Sequence, residues 1–293
     1  MSPNHPLSSH AQKDTQQKWS WSYSITMSDS RDTINVATLF DLKGKTALVT
    51  GGSRGIGRMI AQAYLQAGAT VFISSRKAEP CNQAANELSV SGPCYSLPAD
   101  ISHDEGRERL VTTLAEHTNR LDILVNNAGA AWGAPYESFP SSGFRKVLEL
   151  NVTALFFMTR DLTPLLETAA SKDDPARVIN IGSMDGLKAP TVLQTGTFPY
   201  SASKAAVHHL TRSLALELAP LYITVNAIAP GFFESKMTQQ PLQQFRSEIE
   251  KNCPLGRIGR PEEMAGIAIY LASRAGAYTS GAIIPVDGGS SIT

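Results

Sequence analysis

The sequence predicts an α/β fold in which helices cover both faces of one parallel β-sheet. Three observations lead to this prediction. Short apolar runs alternate with segments of helical periodicity, a glycine-rich turn joins the first run to the first helix, and no linker or change in composition interrupts residues 41–293. This alternation gives right-handed parallel crossovers and a sheet that is buried on both faces. One doubly wound domain therefore accounts for the whole segment.

Seven runs are predicted to be strands because they are short, apolar and bounded by turn residues. They are Thr46–Thr50, Thr70–Ser74, Cys94–Leu97, Asp122–Val125, Arg177–Ile181, Thr224–Ile228 and Ala282–Val286. Between the first two, Ile56, Ile60 and Tyr64 recur at helical spacing, and Gly68 is the glycine expected at a helix end. Two further helices are predicted over residues 151–169 and 200–218.

Composition and charge exclude several classes of function. Lys plus Arg equals Asp plus Glu at 26 each, so no overall charge attracts nucleic acid or an anionic membrane. No apolar run approaches the roughly 20 residues of a membrane span, and no secretory signal pattern is present. Cys81, Cys94 and Cys253 show neither the spacing of a metal site nor that of a disulfide framework. We therefore expect a cytoplasmic protein without a metal, preceded by a disordered polar tail over residues 1–40.

A glycine-rich turn follows the first strand directly and opens the first helix. Glycines allow a sharp turn and the close approach of a ligand, and the free N–H groups of a helix start favour a pyrophosphate. This placement predicts a dinucleotide site and a Rossmann-type fold. The predicted contacts from this turn are Gly51, Ser53, Arg54, Gly55, Ile56 and Gly57.

The end of the second strand indicates which nicotinamide cofactor is bound. An acidic side chain there would bind a ribose 2′-hydroxyl and repel a 2′-phosphate, whereas this chain has Ser75, Arg76 and Lys77. Arg76, with Arg54 from the glycine turn, can make charge-assisted contacts to a phosphate, and Ser75 can add a hydroxyl. NADP(H) is therefore favoured over NAD(H), the alternative being that both arginines are solvated surface charges.

The glycine spacing, G-x-x-x-G-x-G, resembles that of the short-chain dehydrogenase/reductase family. The resemblance continues with Asp100 after the third strand, the run Asn126 to Gly129 after the fourth, and Pro230-Gly231 after the sixth. Scaffold stretches are most similar to the 3-oxoacyl reductases of that family, including those of rhamnolipid and fatty-acid synthesis. The resemblance implies further cofactor contacts from Asp100, Ile101, Asn127, Ala128, Gly129, Tyr200, Lys204, Pro230, Gly231 and Phe233.

Tyr200 and Lys204 are the predicted centre of the chemistry. Four residues apart at the start of a helix, they lie one turn apart on one face. A phenol has a pKa of about 10, and we expect the Lys204 ammonium, together with a cationic nicotinamide, to lower the pKa of Tyr200. Tyr200 then acts as general acid in reduction and as base in oxidation.

Ser183 and Asn151 complete the predicted catalytic group. Ser183 stands three residues before Gly186 at the end of a strand, and its hydroxyl can hydrogen-bond the carbonyl oxygen as negative charge develops. The family resemblance implies that Lys204 also holds the nicotinamide ribose and that the backbone of Asn151 holds a water for proton relay. Without the family resemblance, Ser183 would be interpreted as a turn-forming residue and Asn151 as a structural amide.

The substrate is less well defined by the sequence. Thr191 to Phe198 form an extra loop relative to the family, and Phe232 to Asn252 are predicted to close over the site as a lid. An apolar pocket is predicted from Trp132, Met184, Leu187, Phe232 and Phe233.

We expect the substrate to be a 3-oxoacyl thioester, carried on acyl carrier protein or a coenzyme. Reduction of a polyol, sugar or secondary-metabolite ketone, or a non-catalytic nucleotide-binding scaffold, remain alternatives. The resemblance also implies a homodimer or homotetramer that pairs the helices over 151–169 and 200–218.

Overall fold

The computed structural model describes residues 34–190 and 196–293. All seven predicted strands are present and form one parallel sheet. They are β1 (Thr46–Thr50), β2 (Thr70–Ser74), β3 (Cys94–Ser96), β4 (Ile123–Asn126), β5 (Ala176–Ile181), β6 (Ile223–Pro230) and β7 (Ile283–Val286). The inner strands, such as β1, β5 and β6, are buried along almost their whole length without alternation, because both faces of the sheet are covered.

The strand order is β3-β2-β1-β4-β5-β6-β7. The chain therefore moves outward from β1 to β3, crosses back over β1, and then adds β4 to β7 on the other side. β1 pairs with both β2 and β4, so the connections that leave β1 and β4 diverge to opposite faces. This divergence opens a crevice at the carboxyl ends of the strands, where doubly wound sheets bind their ligands.

Helices fill the connections and cover both faces of the sheet. They are α1 (Val36–Leu39), α2 (Gly55–Gln66), α3 (Ala78–Leu88), α4 (Asp104–His117), α5 (Ser141–Leu148), α6 (Ala154–Ala169), α7 (Phe198–Leu218), α8 (Gln239–Lys251) and α9 (Pro261–Ala272). The predicted end of α2 is confirmed: Gly68 has a φ of 95° and its N–H bonds to the carbonyl of Leu65. A left-handed conformation of this kind favours glycine.

The core consists of two apolar clusters, one on each face of the sheet. One packs α2, α3 and α9 on side chains such as Val49 and Ile73. The other packs α4, α6 and α7 on the intervening residues, such as Leu48 and Phe72. Adjacent strand residues thus point to opposite layers, as the predicted doubly wound architecture requires.

Several boundaries differ from the sequence-based prediction. The helix predicted from residue 151 begins at Ser141, because the more polar α5 continues without a break through Glu149–Thr153 into α6. Residues Val36–Thr293 form one compact unit, and the single turn of α1 lies within the predicted tail. Residues 1–33, together with 191–195 of the predicted extra loop, lie outside the described residues.

Candidate active site

A cleft of about 520 Å³ lies at the carboxyl ends of the strands. It brings together residues from segments that are far apart in the sequence. The predicted site residues that line it are Gly51, Arg54, Gly55, Ile56, Arg76, Asn127, Ala128, Gly129, Ser183, Tyr200, Lys204, Pro230, Gly231 and Phe233. Those that do not are Ser53, Gly57, Ser75, Asp100, Ile101 and Asn151.

The glycine turn is fastened to the end of β4 by Thr50 and Asn127. Asn127 Nδ2 donates to the carbonyl oxygens of Thr50, at 2.8 Å, and Gly51, at 3.2 Å. A Cβ on Gly51 would lie 2.7 Å from this Nδ2, and one on Gly57 would collide with it. Both glycines are therefore required by close packing inside the protein. Gly57 keeps the turn near β4 without lining the cleft.

The start of α2 forms a cradle that fits a pyrophosphate. Gly55 is the first residue of α2 and has a φ of 53°. The preceding Arg54 makes no side-chain cap, so its side chain does not satisfy the N–H groups of the first turn. These donors and the helix dipole suit an anion, and Arg54 lines the same wall.

The outer wall of this end carries Arg76, which is exposed and follows β2. The Asp100 carboxylate accepts hydrogen bonds from the Ser102 hydroxyl, at 2.6 Å, and the Ser102 N–H. Burial raises the pKa of Asp100, but these hydrogen bonds and the charge of Arg76 outweigh it and the pKa is lowered. Ser75 donates weakly to the carbonyl of Lys77, and Ile101 is buried in the core.

Tyr200, Ser183 and Lys204 meet at the other end of the cleft. Lys204 is 5% exposed, and its Nζ donates to the carbonyl of Ile181 at 2.6 Å. The same Nζ lies 5.6 Å from the centroid of the Tyr200 ring. The Ser183 side chain hydrogen-bonds Tyr200 and accepts from the N–H of Asp185 at 3.2 Å. The predicted phenol, hydroxyl and ammonium are therefore neighbours in one site.

Burial dominates the electrostatics of this group. It raises the pKa of Tyr200 to about 12, with Ser183 acting to lower the pKa and Asp185 acting to raise it further. It lowers the pKa of Lys204 to about 8, against the opposing charge of Asp185. In the protein alone the pKa of Tyr200 is therefore raised, because desolvation of the phenolate is the largest influence. The predicted lowering requires a cationic nicotinamide beside Lys204 in the same cleft, and it stays a prediction.

Asn151 lies in a π-helical stretch, Glu149–Thr153, between α5 and α6. Its side chain exchanges hydrogen bonds with the backbone of Ala130, at 2.8 and 3.0 Å, and donates to Ser203 Oγ at 2.9 Å. Ser203 Oγ in turn donates to the carbonyl of Tyr200. Asn151 therefore joins the loop after β4 to the start of α7, and π-helical turns of this kind often occur at functional sites.

The predicted apolar pocket is only partly assembled. Trp132 lines the cleft, with Lys146 Nζ 5.6 Å from its ring, whereas Met184 and Leu187 do not. Phe233 borders the cleft but is 2% exposed and belongs to the core. Phe232 packs on a small apolar cluster of α8 and lines a second cavity. It points away because the segment after β6 turns back toward α8.

Several residues in the cleft were not predicted from the sequence. Ser102, Lys146 and residues 235–238 line it, the last from the segment predicted to be a lid. Asp185 stands beside the catalytic group, and burial raises the pKa of its carboxyl. An acid between Ser183 and Gly186 is visible in the sequence, but its nearness to Lys204 depends on how the turn after β5 folds against α7.

Within residues 34–190 and 196–293, no three His, Cys, Asp or Glu side chains are grouped as a metal site would require. None of the helices described is long and apolar enough to cross a bilayer.

Comparison with known proteins places this cleft in a family. A family model described as Enoyl-(Acyl carrier protein) reductase matches residues 51–291. The rhamnolipids biosynthesis 3-oxoacyl-[acyl-carrier-protein] reductase of Pseudomonas aeruginosa is 53% identical over 252 residues, which cover 85% of this chain and 97% of that protein. The 5-keto-D-gluconate 5-reductase of Escherichia coli K12 is 35% identical over 256 residues, with coverages of 86% and 97%.

A solved structure, the Pseudomonas aeruginosa RhlG/NADP active-site complex, superposes with a TM-score of 0.84 at 52% identity. The superposition covers 87% of this chain and 99% of that one. Fold, motif order and overall identity therefore agree. The chain belongs to the short-chain dehydrogenase/reductase family.

Proposed function

We propose that this protein is an NADPH-dependent oxidoreductase that reduces the 3-oxo group of an acyl thioester to a hydroxyl. One observation carries the proposal. The phenol, hydroxyl and ammonium of Tyr200, Ser183 and Lys204 line the same cleft as the glycine turn and Arg76. A proton donor and a phosphate-binding wall thus face one space of about 520 Å³.

The residues at the first end of the cleft fit a nucleotide with a 2′-phosphate. The cradle at Gly55 would hold the pyrophosphate, and Arg54, Arg76 and Ser75 would hold the 2′-phosphate. By the family resemblance, Asp100 and Ile101 would contact the adenine, and residues 127–129, 230–231 and 233 would border the nicotinamide half. When bound there, NADPH supplies the hydride. The solved relative that holds NADP supports this cofactor.

The residues at the second end handle the proton and the developing charge. Ser183 Oγ donates a hydrogen bond to the substrate oxygen as it gains negative charge. The Tyr200 hydroxyl gives its proton to that oxygen, so a neutral hydroxyl product leaves. The Lys204 ammonium holds the ribose and stabilises the phenolate that remains. Asn151 relays the replacement proton through a water held by its backbone.

Apolar side chains near the mouth of the cleft favour an acyl substrate over a polyol. Trp132 lines the cleft itself. Beyond it, Phe139 lies 6.0 Å from Phe198 and 6.2 Å from Phe144, and Tyr136 lies 5.8 Å from Phe198, measured between ring centroids. Such a surface suits a hydrocarbon chain. The name of the 53% identical relative supports an acyl group carried on acyl carrier protein.

A substrate panel tests the proposal. NADPH oxidation is followed with 3-oxoacyl thioesters of increasing chain length on coenzyme A and on acyl carrier protein, and with 5-keto-D-gluconate and simple ketones. We expect the highest kcat/KM with a 3-oxoacyl thioester. Preference for the keto sugar would favour polyol chemistry, and NADPH binding without turnover on any substrate would favour a scaffold.

We further propose a cytoplasmic homodimer or homotetramer whose catalytic domain spans residues 41–293. Cys81, Cys94 and Cys253 are free thiols, which suits a reducing compartment. Leu216 on α7 is 80% exposed and Phe156 on α6 is 38% exposed, so each of the helices expected to pair between subunits offers an apolar side chain. Light scattering on a sizing column measures the oligomeric state.

A further inference from the structure

A buried histidine on α7 has no role in the chemistry described so far. His208 lies one turn after Lys204 and two turns after Tyr200, and it is 4% exposed. Its ring lies against the turn after β5, the segment that carries Ser183. A histidine buried in this way needs a reason, because a leucine would fill the space without a polar ring to satisfy.

The ring accepts a hydrogen bond from the backbone of the catalytic serine. The N–H of Ser183 donates to His208 Nε2 at 3.5 Å, a long bond in a buried setting. Since Nε2 is the acceptor, a neutral ring must carry its proton on Nδ1. Burial lowers the pKa of His208 to about 4, and the charge of Lys204 acts in the same direction. The ring is therefore neutral near pH 7 and keeps its acceptor.

The turn around Ser183 is shaped to receive this ring. A Cβ on Gly182 would collide with His208 Nε2, and a Cβ on Gly186 would lie 2.8 Å from its Cε1. Glycines on both sides of Ser183 thus leave the space that the imidazole fills. Within residues 34–190 and 196–293, no hydrogen bond of ordinary geometry reaches Nδ1. The Gly186 backbone also acts on the ring and opposes the lowering of its pKa, so the turn contacts the imidazole through both Ser183 and Gly186.

Two side chains of α7 bind consecutive parts of one strand end. Lys204 Nζ donates to the carbonyl of Ile181, and His208 Nε2 accepts from the N–H of Ser183. The helix that carries Tyr200 therefore also fixes the backbone that carries Ser183. The distance between the hydroxyls of Tyr200 and Ser183 is therefore set by α7 and the turn after β5.

We propose that His208 is a positioning residue that holds Ser183 at the correct distance from Tyr200. This inference rests on the proposed reductase function only for its kinetic test. Its structural part, an acceptor nitrogen facing the Ser183 N–H, concerns the protein itself. The two parts can fail separately.

Nitrogen-15 NMR of the histidine side chains tests the structural part on the wild-type protein. We expect His208 to be neutral at pH 7 with its proton on Nδ1, the less common tautomer of a histidine side chain free in water. The exposed neighbour His209 serves as the control. A proton on Nε2, or a charged ring at pH 7, would overturn the proposal whether or not the protein reduces any substrate.

Two variants test the kinetic part with whichever carbonyl substrate the wild type reduces. His208→Leu fills the space without an acceptor, and we expect kcat to fall about tenfold because the Ser183 N–H loses its partner and the turn shifts. The KM for NADPH should stay within about twofold, since the glycine turn is distant in the cleft. His208→Gln, whose Oε1 can take the place of Nε2, should recover most of kcat.

A Ser183→Ala background separates positioning from general damage. If His208 acts through the serine, His208→Leu should cost less than about twofold once the hydroxyl is gone. Wild-type kcat in His208→Leu, or an undiminished loss in the Ser183→Ala background, would overturn the proposal. His209→Leu controls for a leucine at a neighbouring exposed site, and melting temperatures show whether each variant is folded.

Discussion

The two ends of the cleft are built differently. At the proposed nucleotide end the charged groups, Arg54 and Arg76, are exposed, and close packing of Gly51 and Gly57 fixes the turn that carries Arg54. At the proposed catalytic end Ser183 and Lys204 are 6% and 5% exposed, and side chains from α7 bind the backbone at the end of β5. The nucleotide end exposes its charged side chains to water, whereas the catalytic end buries its charged side chain.

This contrast separates affinity from reactivity. An exposed guanidinium binds a phosphate without a large cost of desolvation, so its loss weakens binding and leaves the rest of the protein unchanged. The buried Lys204 ammonium has a lowered pKa, and its desolvation lowers the stability of the fold at neutral pH. Substitutions at the catalytic end should therefore change turnover and stability, and substitutions at the nucleotide end should change cofactor affinity.

Tyr200→Phe should give the largest effect, a loss of turnover without a loss of cofactor affinity. Any other result would contradict the contrast between the two ends of the cleft. The variant keeps the ring but removes the proton donor, so we expect kcat to fall by about a thousandfold or more. NADPH affinity, measured by fluorescence titration, should stay within about threefold because the phosphate wall is untouched. Tyr95→Phe, which removes an exposed phenol hydroxyl on β3, is the matched control. Retained turnover in Tyr200→Phe would remove this residue from its proposed role.

Lys204→Met tests the cost of the buried ammonium. The pKa of Lys204 is lowered from 10.5 to about 8 in the folded protein. Below pH 8 both states are charged and the folded state carries the full penalty. Between pH 8 and 10.5 the folded state releases its proton first, so wild-type stability rises relative to the variant. The relative gain should total about 3 kcal/mol above pH 10.5, of which about 2 kcal/mol should appear between pH 7 and pH 9.5.

Urea unfolding of both proteins at pH 7 and pH 9.5 measures this difference. The free energy of unfolding of the wild type should rise relative to that of Lys204→Met over this interval. Lys251→Met, at an exposed position on α8, controls for the loss of a lysine at the surface. A difference that did not change with pH would mean that Lys204 is not desolvated as the structure indicates.

The sequence could predict the fold because its signals are local. Each apolar run, such as Thr46–Thr50, and each helix end, such as Gly68, depends on residues close by in the chain. The prediction fails where the apolar periodicity of a segment is weak, or where an apolar run has no clear end. Residues 141–150 are too polar for the sequence to predict a helix there, because that helix is stabilised by its continuation into α6. The bounds of β6 extend beyond Thr224–Ile228 because β5 and β7 both pair with it.

The site could be predicted as a set of residues, but its contacts could not. Motif spacing identified Tyr200, Lys204 and Ser183, all of which line the cleft. Their pKa shifts depend on burial by distant segments, which is why the pKa of Tyr200 is raised in the protein alone. His208 carries no motif at all. Its role depends on how α7 packs against the glycines of the turn after β5, and a single sequence does not show that packing.

Arg76→Asp should give the smallest of these effects and would sharpen the contrast at the nucleotide end. The substitution removes a charge-assisted contact to a 2′-phosphate and places a carboxylate after β2, where it can bind a ribose 2′-hydroxyl instead. We expect the Kd of NADPH to rise about fiftyfold and that of NADH to stay within about threefold.

Lys77→Asp is the control, because it makes the same change of charge one residue further on, at an exposed position that does not line the cleft. If both variants weakened NADPH equally, the general field of this edge would bind the phosphate. If Arg76→Asp weakened both cofactors alike, the phosphate would be held elsewhere. A selective loss of NADPH at position 76 alone assigns the 2′-phosphate to this guanidinium, because only a direct contact distinguishes two charges on neighbouring residues.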